Sequence, residues 1–149
     1  MRDRGRLAVM AKLAAVQRAK RVGAQAALAA ARVDEREADA ARDVAEAGMV
    51  DAHRDWLDHL AGAEFSPEFS RLLSGVLVGC EREADGAARH AAETSERRGE
   101  RQSDWQRLDA RVKSGDASLK RLRRKVAWRV EEHRLAALAD RTTSQWSRS

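Results

Sequence analysis

The stretch Gly62-Ala63-Glu64-Phe65-Ser66-Pro67-Glu68-Phe69 decides the fold. Pro67 is the only proline in 149 residues, and it sits near the middle. Gly62 can take the left-handed conformation that closes a helix. Ser66 suits an N-cap, and Pro67 then becomes the first residue of the next helix, where its missing N–H costs nothing. Glu68 puts negative charge at the positive end of the helix dipole. Four signals agree on one break between two helices, and no comparable break occurs elsewhere.

Working outward, both flanks carry coiled-coil spacing. Before the turn a stripe runs through Val22, Ala26, Ala29, Val33, Glu37, Ala40, Val44 and Ala47. After it come Phe69, Leu73, Val76, Cys80, Ala84, Ala87, Ala91 and Thr94, then Trp105, Leu108, Val112, Gly115, Leu119, Leu122, Val126, Arg129 and His133. Steps of three and four alternate, which is the signature of a left-handed supercoil. Glu37, Arg98, Gly115 and Arg129 weaken it locally. The short turn makes the helices antiparallel. The sequence therefore predicts an all-α fold, a single rod-like two-helix antiparallel coiled-coil hairpin. Helix one spans about 3–61, the turn 62–66, helix two about 67–141, and 142–149 form a loose tail. At 1.5 Å per residue the helices measure roughly 90 and 110 Å. Residue i should lie near residue 129 − i. Beyond about 127, Trp128, Val130, Leu135 and Leu138, with Trp146 further on, lack an intrachain partner and point to a partner protein.

Composition agrees. Charged residues make up 36% and aromatics 4%, with no Tyr and much Ala. Small side chains fill thin seams, and Ala, Glu, Arg and Leu favour helices. A loose, disordered chain is the competing reading, and the regular apolar spacing opposes it. One Cys excludes an internal disulfide and any multi-Cys zinc site. The longest apolar run, 72–80, falls far short of the ~20 residues that span a membrane. With no signal peptide visible, the expected location is the cytoplasm.

Charge is uneven along the chain. Residues 1–33 carry eight Lys/Arg and one acid (+7), and 34–66 three Arg and ten acids (−7). Residues 67–104 carry six Arg and eight acids (−2), and 105–149 twelve Lys/Arg and five acids (+7). A hairpin brings both +7 segments together, so the end with both termini is basic and the turn end acidic. Each charge taken alone reads as a solvated face, but like charges gathered side by side cost stability. The run Lys120-Arg121-Leu122-Arg123-Arg124-Lys125 suits an acidic partner surface. Nucleic acid is the second candidate. Apart from Trp128, stacking aromatics are missing around the run, and no nucleic-acid fold signature occurs.

Catalytic patterns are missing. There is no Gly-rich phosphate loop, no Gly-x-Ser-x-Gly and no Cys matched to a His. The expectation is no enzyme, no small-molecule substrate, no cofactor and no metal. Cys80 on the stripe reads as a small buried hydrophobe. Trp56 and Trp105 read as seam fillers.

Three local features resemble the FliJ/YscO-type proteins of flagellar and injectisome type III export, over about Leu7 to Arg141. Trp56 to Leu60 forms a Trp-x-x-x-Leu segment before the turn. Helix two opens with Phe69-Ser70-Arg71-Leu72-Leu73-Ser74-Gly75-Val76. A basic stretch leads into Glu131-Glu132-His133-Arg134-Leu135-Ala136-Ala137-Leu138-Ala139-Asp140-Arg141. The resemblance implies a cytoplasmic stalk, peripheral to the inner face of the membrane, that links a hexameric export ATPase to the cytoplasmic domain of the membrane export gate and to export chaperones. The gate-binding positions it implies are Phe69, Leu73, Val76 and Cys80, and Cys80 departs from the polar residue that pattern carries. The ATPase-binding end is the basic one, with Arg2, Arg4, Arg6, Arg121, Arg123, Arg124 and Lys125. An unrelated coiled-coil adaptor or scaffold, another rotary-ATPase stalk or a nucleic-acid-binding hairpin are the alternatives.

Overall fold

The structure is a computed structural model that describes residues 2–146, and among these the side chains of 5–143 and 146. It consists of two helices, α1 (Arg2–Ala61) and α2 (Pro67–Trp146). They are antiparallel, as expected, and α2 is the longer. Residues 142–146, expected to be loose, continue α2. Thr142 and Thr143 donate their hydroxyls back to the carbonyls of Ala139 (both 2.8 Å), which holds the last turn together. The final three residues of the expected tail lie outside the described residues.

The turn follows the chemistry of Ser66. The Phe69 N–H donates to Ser66 Oγ (3.4 Å) and the Ser70 N–H to the Ser66 carbonyl (2.9 Å), so Ser66 caps α2 with Pro67 at its first position. His59 Nε2 lies 3.1 Å from the same carbonyl. A carbonyl only accepts, so this nitrogen carries the proton. The His59 ring also meets Phe65 (centroids 5.7 Å) and Phe69 (4.9 Å, edge-on). Gly62 differs from expectation. No described glycine has a positive φ. α1 ends instead with the Gly62 N–H donating to the His59 carbonyl (3.4 Å), a bond three residues back that tightens the last turn.

The contacts fall into two units. One joins residues 1–24 to 105–149, and the other comprises 25–104. The first carries 19 Lys/Arg against six acids, or +13; the second carries ten against 18, or −8. We call them the basic and the acidic unit.

In both units the α1 seam differs from the Val-rich stripe. The seam of α1 runs through Leu7, Met10, Ala14, Gln17, Arg21 and Ala24 in the basic unit, with Ala11 half-buried beside it. In the acidic unit it runs through Leu28, Ala31, Glu35, Ala38, Arg42, Ala45, Met49, Ala52, Trp56 and His59, with Ala27 and Asp39 half-buried beside it. Steps of three and four alternate without a break. Val22, Ala26, Ala29, Val33, Glu37, Ala40, Val44 and Ala47 are all exposed. At about 100° per residue the two series lie on opposite sides of the helix. Valine content marks the exposed face of α1. The larger residues Leu28, Met10, Met49 and Trp56 sit on the true seam, where burial is worth more. Along α2, Ala84, Ala91, Thr94, Val112 and Leu119 are buried as the spacing predicts. Shielding ends at Val126, and Arg129 and His133 are exposed.

The core is thin. Half of the buried residues described are Ala, and no described side chain is fully enclosed. Thr94 keeps its place by donating its hydroxyl to the Ala91 and His90 carbonyls (2.9 and 3.1 Å). Cross-helix ion pairs mark the register. Arg21–Asp109, Glu35–Arg98 and Arg18–Asp116 have index sums of 130, 133 and 134, one to five residues above the expected 129. Gly115 faces Gln17 so closely that an added Cβ would come within 2.8 Å of Gln17 Oε1.

Since Gly62 needs no left-handed backbone, and a Cβ there meets only carbonyl oxygens at 3.4 and 3.5 Å, Gly62→Ala should keep or raise thermal stability, by up to ~1 kcal/mol. Ser66→Ala should cost about 1 kcal/mol. Thermal melts followed by circular dichroism check both. A clear loss for Gly62→Ala would restore the left-handed cap.

Candidate functional site

The sequence-derived cation set divides by what the structure describes. Arg2 and Arg4 belong to α1, but their side chains lie outside the described residues. Arg6 on α1 and Arg121, Arg123, Arg124 and Lys125 on α2 are exposed and belong to one unit. Within the run only Leu122 turns into the seam, half-buried, which leaves its charged neighbours facing water.

Crowding +13 into two helices needs compensation at the seam. Asp109 supplies it from α2, accepting from Lys113 Nζ (2.7 Å) and Arg21 Nη1 (3.2 Å). The Lys113 hydrogen bond, aided by its charge and by Arg21, holds the Asp109 carboxyl below the usual carboxylate range against partial desolvation. Asp116 pairs with Arg18 across the same seam, raising the guanidinium's already high pKa through that hydrogen bond. The 121–125 run is outside this compensation and supplies the surface field.

The acidic unit carries a cross-helix fork. Arg98 Nε donates to Glu35 Oε2 (3.0 Å) and Nη2 to Oε1 (3.2 Å). The Arg98 hydrogen bonds, then that of Ser95, hold Glu35 below its ordinary pKa. Arg98, which weakens the apolar stripe in sequence, thus fixes register by geometry.

The gate-binding candidates lie at the start of α2. Phe69 and Val76 are each 49% exposed, whereas Leu73 and Cys80 are half-buried. Phe69 packs on His59, so it serves the turn as well as offering a surface. Leu77, outside the candidate set, is the shielded neighbour in place of Val76. The indole Nε1 atoms of Trp56 and Trp105 are buried with no hydrogen-bond partner. Both rings fill the seam at a polar cost. Among the described residues no cluster of three His, Cys, Asp or Glu could hold a metal. No described helix is long and apolar enough to cross a membrane.

The feature with least intrachain explanation is the end of α2. Every side chain described from Ala127 onward is exposed, with Trp128 at 76% and Trp146 at 85%. Fold and charge together define an antiparallel coiled-coil hairpin with an exposed basic patch and an uncovered apolar extension. No family model, no curated protein and no solved structure matches the chain.

The lowered carboxyls of Glu35 and Asp109 set a pH dependence. A depressed folded-state pKa gives stability that is complete above the unfolded value, about 4, and is lost as pH falls through the folded one. Glu35→Gln should therefore melt lower than the parent at pH 7, and the difference should close as pH drops below about 4. A constant difference down to pH 2 would remove the ion pair as its cause.

Proposed function

We propose that the chain is a stalk component of a type III protein export apparatus that joins the export ATPase hexamer to the membrane export gate and to export chaperones. One observation carries the reading: the two segments of strongest positive charge, from opposite ends of the sequence, form a single contact unit of net charge +13. A helical pair with an exposed cationic run suits the pore of a ring whose inner surface is acidic, where charge-assisted hydrogen bonds steer and hold it. The resemblance of the helix-two opening and of the C-terminal segment to FliJ/YscO-type proteins points the same way.

On this reading Val76 and Leu73 present an apolar patch to the gate and Arg6 with the 121–125 run meets the ATPase. Val76 is the cleaner probe because Phe69 also braces the turn. The chain itself performs no chemistry. It transmits the state of the ATPase to the gate from the cytoplasmic side.

Replacing Arg121, Arg123 and Arg124 together by Glu should abolish co-purification with an export ATPase while far-UV circular dichroism stays unchanged. Retained binding would contradict the charge argument. Val76→Ser should weaken gate binding without loss of helicity, and equal loss of both would reduce Val76 to a packing residue. Capture of nucleic acid in place of the ATPase, with affinity falling steeply as salt rises, would assign the basic unit to phosphate binding.

A further inference from the structure

The outer side of α2 changes character between Lys120 and Leu138. The stretch carries seven Lys/Arg and two acids, a net charge of +5. Five of the cations fall within the six residues 120–125, and all five are exposed. They stand outside the ion pairs that Asp109 and Asp116 make at the seam. Beyond the run come Trp128, Leu135 and Leu138, large apolar side chains left in water. At about 100° per residue, Arg124, Trp128, Leu135 and Leu138 fall within roughly 80° of one another, on the side away from Leu119, Leu122 and Val126. The seam with α1 is on the opposite side, so α1 leaves these residues uncovered.

The five cations of the run are spread over roughly 200° of the helix circumference. A partner helix in a coiled coil reads a narrow stripe spaced in threes and fours. Cations arrayed this widely, on long flexible stems, suit a surface whose negative charges are dense, mobile and unpatterned. An anionic lipid bilayer is such a surface, and it attracts clustered Lys/Arg on helices that also carry exposed Trp and Leu. Trp128 fits the same surface, because an indole offers an apolar ring and a polar N–H where headgroups meet acyl chains.

We infer that this side of α2 lies on an anionic phospholipid surface, with the 120–125 run on the headgroup phosphates and Trp128, Leu135 and Leu138 sunk between the headgroups. The attraction falls off within a Debye length, about 8 Å at physiological ionic strength, so binding weakens as salt rises. Glu131 lies on the same side and opposes it. The inference does not rest on the export reading. It shares the 121–125 run with the ring contact proposed above, so ring and lipid compete for those cations, while the three apolar side chains serve the lipid alone.

The test is co-sedimentation of the full chain with vesicles, either phosphatidylglycerol mixed with phosphatidylcholine or phosphatidylcholine alone, at low and high salt. The parent should bind the first at low salt, release it at high salt and ignore the second. Replacing Arg121, Arg123 and Arg124 together by Gln should weaken binding at least about tenfold with unchanged helicity. Trp128→Ala with Leu135→Ala and Leu138→Ala should weaken it severalfold although every cation remains, and Glu131→Gln should tighten it. Tryptophan fluorescence should shift to the blue on binding, and Trp128→Phe should diminish the shift. No binding to the anionic vesicles at low salt would overturn the inference. So would equal binding to both kinds of vesicle, or binding that the apolar triple variant leaves unchanged. A chain that ignores the vesicles but binds a Glu-rich helical peptide would give this side to an acidic protein and overturn it as well.

Discussion

Everything in this fold depends on which face of α1 meets α2. The helix has two candidate faces on opposite sides, both spaced in threes and fours. One is rich in Val and Ala, the other mixes Ala, Leu, Met and Trp with Gln17, Arg21, Glu35 and Arg42. The second wins because it offers more area to bury and because its charged members have partners. Glu35 meets Arg98 in a fork, Arg21 meets Asp109, and Gln17 lies over Gly115. In a seam built largely of Ala, hydrophobic burial alone discriminates weakly between faces. Paired charges specify register where thin cores cannot.

That choice distributes what is left for function. With the polar-laced face inside, the Val-rich stripe of α1 is exposed. The longer α2 runs beyond the last shielded seam residue and carries its large apolar residues away from the seam. Two features that cost a lone molecule stability, an uncovered apolar extension and gathered like charge, are both features a partner would relieve.

The sequence made some of this legible and hid the rest for physical reasons. The turn was readable because Ser66 and Pro67 act through local geometry that no distant contact overrides. The α2 seam was readable from Ala84 to Val126, where the apolar spacing has one dominant phase, but not at its start, where Phe69 and Val76 are exposed and Leu77 is shielded. The α1 phase was not, since Val22, Val33 and Val44 are the most apolar residues in view while the true seam is marked by charges whose partners lie 63 and 88 positions away. Gly62 looked like a left-handed closure because glycine permits it, yet the bond to the His59 carbonyl makes it unnecessary. Among the site candidates, Arg6 and the 121–125 run come together as the charge map required. Phe69 proved to be shared with the turn through His59, a contact that residue types alone do not reveal.

The phase of α1 is tested most directly by disulfide trapping in a Cys80→Ser background. One double variant carries Ala38→Cys with Thr94→Cys, both buried at the seam. The other carries Ala40→Cys with Ala91→Cys, which pairs the exposed face with a buried α2 position. Under mild oxidation the first should close an intrachain bond rapidly and the second should remain reduced. Rapid closure of the Ala40 pair with a reduced Ala38 pair would put the Val-rich face inside and contradict the account.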